Sequence, residues 1–268
     1  MRIGLAQTSP RLGDVAGNLD DVLLLLGRAR EQGCDLVVFP ECALSGYMFD
    51  DRESAAASAV TAAGPELTRL VDACRGLQLH CVLGLLEQRD GLLWNSSRLI
   101  GPQDIIGSYD KTHIPQLGVD RFVTPGQGPY TVHDTPLGRI GLQICYDWRF
   151  PEVTRSLALQ GAELVAMPTC SPTSSRELAD HLPRTRAVEN AVFFAMANRV
   201  GVEGAASFLG HSQVVGPAGD RLVRGDEKES LLVCDVDLEQ ARAKDRVQGD
   251  GLYRLDIMKE RRPELYAL

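Results

Sequence analysis

The sequence predicts a single α/β domain, and three observations support that fold class. Short, almost wholly apolar runs, as at residues 35–41 and 162–168, are typical of strands buried on both faces of a sheet. Segments with apolar residues at helical spacing separate such runs, which indicates layered strands and helices. No linker, composition break or fixed-period repeat divides the 268 residues, so we expect one domain over residues 1–268.

In the N-terminal half, the patterns predict two helices among five strands. The predicted strands are residues 2–8, 35–41, 80–86, 92–100 and a run from 105, and the helices are residues 18–33 and a run from 65. Asn18 is the expected N-cap of the first helix, and Gly33 marks its end. The strand at 35–41 ends on a carboxylate, Glu41.

In the C-terminal half, a central strand passes directly into a helix. The predicted strands are residues 138–144, 162–168, 192–197, 212–215 and 231–236, and the helices are a run from 150 and residues 176–190. The last two strands should pair with each other around turn residues 216–219. A charged tail with helical propensity, from about residue 245 to 268, closes the chain.

Composition excludes several classes of function. A net charge of −8 argues against a nucleic-acid partner, because no basic stripe is present to neutralise phosphates. Seven cysteines without paired or zinc-like spacing predict neither a disulfide framework nor a metal site, and we expect no cofactor. No leader-like segment and no apolar run of about 20 residues occurs, so we expect a cytoplasmic protein that acts on a small molecule, with no membrane partner.

Cys145 stands where the central strand gives way to a helix. The chain turns sharply there, and free N–H groups at a helix start favour a thiolate or a neighbouring oxyanion. The alternative is a buried core cysteine, which the other six cysteines resemble.

Two further charged residues fall at predicted strand ends, where ligands collect in α/β folds. Glu41 ends a buried strand, and Lys111 follows the strand that begins at residue 105. Taken singly, Glu41 could mark where its strand leaves the core, and Lys111 could be a solvated charge. Together with a cysteine, they provide a base, an oxyanion-stabilising cation and a nucleophile, which suits hydrolysis of an acyl–nitrogen bond through a thioester.

Three segments around these residues resemble the signature segments of the nitrilase superfamily of carbon–nitrogen hydrolases. They are DLVVFPE (35–41), YDKTHIP (109–115) and RIGLQICYDWRFPE (139–152), in the order and at the spacing of that family. The opening segment and the segments at 184–201 and 210–219 are also similar, so the resemblance covers nearly the whole chain.

The resemblance implies a fold, an assembly and a catalytic trio. The implied fold is a four-layer α-β-β-α sandwich, and the implied assembly is a homodimer or larger homo-oligomer whose interface includes the helix after Cys145, with the tail at 245–268 also expected there. The implied roles are Glu41 as general base, Lys111 as oxyanion stabiliser and Cys145 as nucleophile. On chemical grounds, the backbone N–H that follows the cysteine, that of Tyr146, is expected as a second oxyanion donor.

The chain departs from the family pattern at one place. Many members carry a further Glu in the loop before a Pro-Gly pair, where this chain has Val119 followed by Asp120. Asp120 either takes that role, with a loop one residue shorter, or is a surface charge.

Substrate choice stays open at the level of sequence. Tyr-Asp after the nucleophile resembles the amidase and carbamoylase branches, whereas Trp-Glu is usual in nitrilases. Candidate substrate contacts are Tyr47 and Arg176, or alternatively Arg121. The arginines are candidates because a guanidinium can bind a substrate carboxylate through two hydrogen bonds. The remaining alternatives are a nitrilase acting on a small nitrile and a catalytically silent binding or scaffold protein of the same fold.

Overall fold

The computed structural model describes residues 1–266, except for the side chain of Gln248. Within that range, the strands are β1 (Arg2–Gln7), β2 (Leu36–Val38), β3 (His80–Arg89), β4 (Leu92–Ile100), β5 (Ile105–Asp110), β6 (Val132–Thr135), β7 (Gly138–Leu142), β8 (Leu164–Thr169), β9 (Phe193–Asn198), β10 (Val200–Glu203), β11 (Ala206–Leu209), β12 (Gln213–Val215), β13 (Arg221–Arg224), β14 (Ser230–Asp235), β15 (Asp245–Gln248) and β16 (Tyr253–Asp256). The α-helices are α1 (Val15–Glu31), α2 (Arg52–Ala57), α3 (Pro65–Leu77), α4 (Pro151–Leu159), α5 (Arg176–Asn190) and α6 (Glu239–Arg242). Short 3₁₀ turns lie at Gly118–Arg121, Cys145–Arg149, Thr173–Ser175 and Pro263–Leu265.

Two six-stranded sheets form the centre of the molecule. The first has the order β14-β1-β2-β3-β4-β5, and the second has the order β13-β12-β9-β8-β7-β6. Each has three adjacent parallel strands, β1-β2-β3 and β7-β8-β9, flanked by antiparallel strands. The parallel strands are those whose sequences are nearly continuous apolar runs, because both of their faces are covered.

The apolar residues divide into layers that show how the sheets and helices pack. One cluster contains side chains of both sheets, including Val38, Val82, Leu142 and Ala166, so the sheets face each other. A second cluster joins the first sheet to α1 and α3, and a third joins the second sheet to α4 and α5. The fold is therefore the expected four-layer α-β-β-α sandwich.

Helix α1 begins earlier than the sequence pattern predicts. Its N-cap is Asp14, whose side chain accepts a hydrogen bond from the Gly17 N–H at 3.1 Å. Asn18, the expected cap, is buried within the helix, and its Nδ2 donates to the carbonyls of Arg11 and Leu44 at 2.7 Å each. Asn18 thus binds a neighbouring loop instead of capping the start of the helix. The local sequence pattern does not reveal such a long-range role.

The expected pairing of the last two strands is wrong. Strand β12 pairs with β13, which the sequence did not predict, while β14 crosses to the other sheet and pairs with β1. The tail also differs, since residues 245–256 form the β15-β16 hairpin and not a helix; residues 267–268 of the tail lie outside the described part of the chain. Helix α2, strand β6 and the β10-β11 hairpin were likewise not predicted.

The carboxyl ends of the central strands lie at the same edge of each sheet, and a glycine allows the two sheets to meet closely there. A Cβ on Gly84 of β3 would lie 2.5 Å from the Glu41 Cα and 3.0 Å from the Pro168 Cβ. Only glycine at this position leaves room for the backbone that carries Glu41. Among residues 1–266, no helix is long and apolar enough to cross a membrane.

Candidate active site

The structure brings Glu41 and Lys111 into direct contact. Glu41 follows β2 and Lys111 follows β5, and the Lys111 Nζ donates to the Glu41 Oε1 at 2.7 Å. Neither side chain has any exposed surface. The sequence left open that Glu41 only marks a strand exit and that Lys111 is a solvated charge. Neither alternative fits a fully buried ion pair.

Asp120 is the second carboxylate on the same lysine. Its Oδ2 accepts a short hydrogen bond from the Lys111 Nζ and another, at 2.7 Å, from the Tyr47 hydroxyl. Asp120 is buried in the 3₁₀ turn Gly118–Arg121, so it is not the surface charge that the sequence left as an alternative.

Asn95 links the two carboxylates, and sequence reasoning did not identify it. Its Nδ2 donates to the Glu41 Oε1 at 2.6 Å and to the Asp120 Oδ1 at 2.8 Å. The available signal was a run of small polar residues, 95–97, inside a strand that is otherwise apolar. Because a buried amide must find hydrogen-bond partners, such a run indicates a buried polar site on the strand.

Tyr47 packs over the lysine and completes this side of the site. The Lys111 Nζ lies 5.9 Å from the centre of the Tyr47 ring. Burial, followed by the nearby Asp120 charge, raises the pKa of the Tyr47 hydroxyl well above its ordinary value, so it remains a hydrogen-bond donor. Gly118 has a φ of +52°, and a Cβ there would lie 2.6 Å from the Tyr47 carbonyl oxygen, so glycine is required for this contact.

Cys145 occupies a strained turn between β7 and α4. Its φ is +42°, in the left-handed region that non-glycine residues rarely adopt. A 3₁₀ turn, Cys145–Arg149, lies between β7 and α4, and α4 begins at Pro151, beside the residue 150 that the sequence indicated. The Tyr146 backbone N–H therefore lies in that 3₁₀ turn and not at the start of α4.

The surroundings of the thiol act on its acidity. Burial and then the Glu41 charge raise the pKa of Cys145 to about 12, while the Lys111 ammonium and hydrogen bonds from the Thr169 hydroxyl and the Cys170 N–H act in the opposite direction. Glu41 and Lys111 are therefore near enough to influence the thiol directly.

The charges of the buried pair also depend on burial. Burial raises the pKa of Glu41 above its ordinary value, against the opposing effect of the Lys111 ammonium. Burial alone would lower the pKa of Lys111, but Asp120 and Glu41 outweigh it and hold that pKa well above its usual value. The lysine is thus a permanent cation, and Glu41 is a carboxylate with an increased affinity for a proton.

The end of β8 supplies a further contact that was not predicted. The Cys170 N–H donates to the Glu41 Oε2 at 2.8 Å, and its thiol donates to the Glu41 carbonyl at 3.0 Å. With Asn95 and Lys111 on Oε1, both carboxylate oxygens of Glu41 are held in place. Cys170 resembled a core cysteine in the sequence, and nothing local distinguished it.

Both candidate arginines are bound to groups of the chain itself. Arg176, the first residue of α5, is half-exposed and pairs with Glu227 at 2.7 Å. The Arg121 guanidinium donates to the carbonyls of Gly118 and Phe49, so it joins two loops.

The Tyr146 ring lies edge-on to Phe150, with 5.4 Å between ring centres.

The site is a buried carboxylate–lysine pair beside a cysteine. Known proteins are similar in sequence to the chain that forms this site. A family model described as carbon-nitrogen hydrolase matches residues 2–246. The chain belongs to the carbon–nitrogen hydrolase family. It is accordingly an enzyme, a hydrolase of the nitrilase superfamily with a cysteine nucleophile in its relatives.

Individual relatives of this carbon–nitrogen hydrolase match it along nearly their full length. A nitrilase of Pyrococcus abyssi is 33% identical over 271 residues, 99% of each chain. An (R)-stereoselective amidase of a Pseudomonas species is 34% identical over 263 residues, 98% of this chain and 92% of the relative.

A solved amidase from Nesterenkonia shares the fold. With 30% identity and a TM-score of 0.82, the match covers 99% of this chain and 95% of that one. One variant of that amidase carries the acetamide moiety of fluoroacetamide covalently on its active-site cysteine, and another is in complex with butyramide.

Proposed function

We propose that this carbon–nitrogen hydrolase cleaves a short, uncharged aliphatic amide to the carboxylic acid and ammonia, through a thioester on Cys145. The observation that carries the proposal is the buried Glu41–Lys111 pair, 2.7 Å apart, whose charges act on the Cys145 thiol. The proposed catalytic residues are Glu41, Lys111 and Cys145.

In the first half of the reaction, Glu41 removes the thiol proton as the sulfur attacks the amide carbon. The carbonyl oxygen becomes an oxyanion, which the Lys111 ammonium and the Tyr146 N–H stabilise. Glu41 then returns the proton to the nitrogen, the carbon–nitrogen bond breaks, and ammonia leaves the thioester behind.

In the second half, water replaces ammonia. Glu41 accepts a proton from the water as its oxygen attacks the thioester carbon, and a second oxyanion forms in the same place. The carbon–sulfur bond breaks, the sulfur regains a proton from Glu41, and the acid leaves. Asp120 and Tyr47 position Lys111 throughout, and Asn95 and Cys170 orient Glu41.

The choice of an uncharged acyl group rests on the groups around the site. Tyr47, Val119 and Cys170 belong to one buried apolar cluster with Phe208, and each contacts or adjoins Glu41 or Asp120. Arg176 and Arg121, the arginines considered for a substrate carboxylate, are already bound to Glu227 and to backbone carbonyls. The butyramide and fluoroacetamide bound by the Nesterenkonia amidase are small and uncharged as well.

Ammonia release from four substrates tests this proposal. The panel is butyramide, butyronitrile, an ω-amide of a dicarboxylic acid and an N-carbamoyl amino acid. We expect butyramide to be hydrolysed fastest and a butyryl group to be found on the Cys145 peptide by mass spectrometry after rapid acid quench. Fastest turnover of the nitrile would support the nitrilase alternative, which the Pyrococcus abyssi relative favours.

Two cysteine variants provide the control. Cys145→Ala should abolish both turnover and acylation, whereas Cys234→Ser should leave both unchanged, since Cys234 is also partly exposed but lies on β14. An inactive wild-type enzyme, with a Cys145 that iodoacetamide modifies no faster than Cys234, would support the scaffold alternative instead.

We also propose that the chain forms a homo-oligomer through its C-terminal hairpin. Val247 and Leu252 of this hairpin are 65% and 82% exposed in a single chain. Exposed apolar side chains grouped in this way are typical of protein interfaces.

A further inference from the structure

Asp147 is a buried carboxylate that closes the turn containing Cys145. Its Oδ2 accepts from the Ile144 N–H at 2.9 Å, and its own N–H donates to the Ile144 carbonyl at 3.0 Å. These two bonds enclose Cys145, the residue with the positive φ. A strained conformation persists only where surrounding contacts determine it, and Asp147 supplies two such contacts.

The same carboxylate also binds the segment that carries Lys111. Its Oδ2 accepts from the Tyr109 hydroxyl at 2.8 Å, while its Oδ1 accepts from the His113 N–H at 3.2 Å and the Thr112 hydroxyl at 3.2 Å. The His113 Nδ1 lies 2.8 Å from that Oδ1, which places its proton on Nδ1. These donors come from residues on both sides of Lys111.

Asp147 therefore joins the nucleophile turn directly to the lysine segment. We propose that Asp147 is a positioning residue that fixes the Cys145 Sγ relative to the Lys111 Nζ. The proposal rests on the proposed function, in which those two groups act on one substrate carbonyl.

The chemistry of the contacts requires a carboxylate. The groups that face the two oxygens are backbone N–H groups, hydroxyls and an imidazole N–H, and a carboxylate can accept from all of them. An asparagine of the same size would direct its NH₂ group at donors on one side, so that either the Ile144 or the His113 contact is lost. A small displacement of the nucleophile is enough to reduce the rate greatly, because the reacting atoms must be aligned.

Asp147→Asn tests the proposal, with Glu163→Gln as the matched control. Glu163 is also a buried carboxylate, and it accepts from the Arg139 N–H at 3.0 Å and the Arg242 Nε at 2.7 Å. It lies beside the first residue of β8, whereas the candidate site lies beyond Thr169 at the other end of that strand. For Asp147→Asn we expect kcat for butyramide to fall on the order of 100-fold, with KM changed less than about threefold. Glu163→Gln should lower Tm about as much as Asp147→Asn does, but it should leave kcat unchanged.

A second readout does not depend on the amide substrate. The rate at which iodoacetamide modifies Cys145, followed by mass spectrometry, should fall at least about tenfold in Asp147→Asn and stay constant in Glu163→Gln. If the wild-type enzyme hydrolyses none of the panel but this difference holds, the proposed substrate fails and the role of Asp147 stands.

Tyr109→Phe and Thr112→Val keep the carboxylate and remove one donor each. They should give smaller losses of kcat in the same direction, which keeps the proposal testable if Asp147→Asn does not fold. A kcat and an alkylation rate within threefold of wild type in these variants, or in a folded Asp147→Asn, would show that Asp147 only stabilises the fold and would overturn the proposal.

Discussion

In the proposed mechanism, the raised pKa of the Cys145 thiol requires a neighbouring base. Burial raises the pKa of Cys145 to about 12, so the thiol form predominates at pH 7. A nucleophile of this kind is generated by proton transfer during attack and not by a standing thiolate. Burial therefore acts on two residues at once, because it also raises the pKa of Glu41 and makes it a better proton acceptor.

The pH dependence of the reaction should report the Glu41 ionisation. Burial raises its pKa, and the base form is lost as pH falls through that value, so kcat/KM should decline on the acidic side at a pH above about 4.5. Glu41→Gln should reduce kcat by about 10²–10⁴-fold, since general base catalysis contributes on that order. Steady-state rates from pH 4 to 9 check both; an acidic limb at the pH of an ordinary glutamate would contradict the assignment of Glu41 as base.

Removing the Asp120 charge should move the opposite limb of the profile. Two carboxylates hold the Lys111 pKa well above its usual value against the effect of burial, and Asp120 contributes more than Glu41. In Asp120→Asn the pKa of Lys111 falls, so the alkaline limb should shift to lower pH, with kcat reduced about 10-fold or more as the oxyanion loses its cation. Asp110→Asn is the control, because that carboxylate precedes Lys111 but binds Arg89 and Ser96. An alkaline limb that stays in place in Asp120→Asn would contradict this role.

At the residue scale, the sequence identified Glu41, Lys111, Cys145 and Asp120 as candidates, and the structure places the two carboxylates on the lysine. Asn95 and Cys170 were missed because their roles depend on strands that meet only in three dimensions. The Cys170 contribution is largely a backbone N–H, which every non-proline residue carries, so no side-chain pattern could reveal it.

At the scale of elements, the position of Glu41 depends on the close approach of β3 to the segment after β2. The Gly84 N–H donates to the Pro40 carbonyl at 3.2 Å, and the Ala43 N–H donates to the Gly84 carbonyl at 2.9 Å. This segment is thus an irregular continuation of the sheet, and it turns the Glu41 side chain toward β5 and β8.

Gly84→Ala should displace Glu41, the proposed general base. The added Cβ would lie 2.5 Å from the Glu41 Cα and 2.7 Å from the Pro40 carbonyl oxygen, so the backbone must move. We expect kcat to fall on the order of 100-fold and the free energy of unfolding to fall by about 1–3 kcal/mol. Activity assays and chemical denaturation measure the two effects.

Gly27→Ala is the matched control for this change. Gly27 lies in α1 with no atom within 4 Å of an added Cβ, so alanine should stabilise the enzyme by about 0.5–1 kcal/mol and leave kcat unchanged. If Gly84→Ala behaved like Gly27→Ala, the close approach would not be what positions Glu41.

Elements with strong periodicity could be predicted from the sequence, and those decided by pairing could not. The expected bounds of α5, residues 176–190, are those observed, and α3 begins at Pro65 as its pattern indicated. The sequence of β14 shows that it is a strand, but not that β1 is its partner, since partner choice depends on the packing of the whole sheet. The short strands β6, β10 and β11, four residues each, carry too few residues for a clear period.

At the scale of the whole molecule, the two sheets place the buried Glu41–Lys111 pair and Cys145 at one interface. Glu41 and Lys111 come from the first sheet, whereas Cys145 and Cys170 come from the second. The site therefore exists only when the two sheets are packed together. The apolar cluster between the sheets, which includes Val82 and Leu142, therefore holds the site together.

The C-terminal hairpin is the surface where we expect a second copy of the chain to bind. The β15-β16 hairpin exposes Val247, Leu252 in its turn and Tyr253, and the following segment exposes Leu265 and Tyr266, all at 47% or more. A soluble monomer rarely leaves so many large apolar side chains together in water, because each contributes favourably when it is buried. Light scattering should therefore give a mass that is a multiple of 29.2 kDa.

Charged substitutions on the hairpin should separate the copies. In Val247→Asp/Leu252→Asp we expect the mass to fall to that of one chain, because burying two unpaired carboxylates costs more than the apolar contacts contribute. Leu24→Asp, at a leucine that is 54% exposed on α1, should leave the mass unchanged and controls for surface charge as such. A wild-type mass of one chain, or a double variant that keeps the wild-type mass, would place any interface elsewhere. Since the catalytic side chains described above all come from one chain, the separated double variant should retain butyramide turnover, and a loss of kcat would instead show that the partner supports the site.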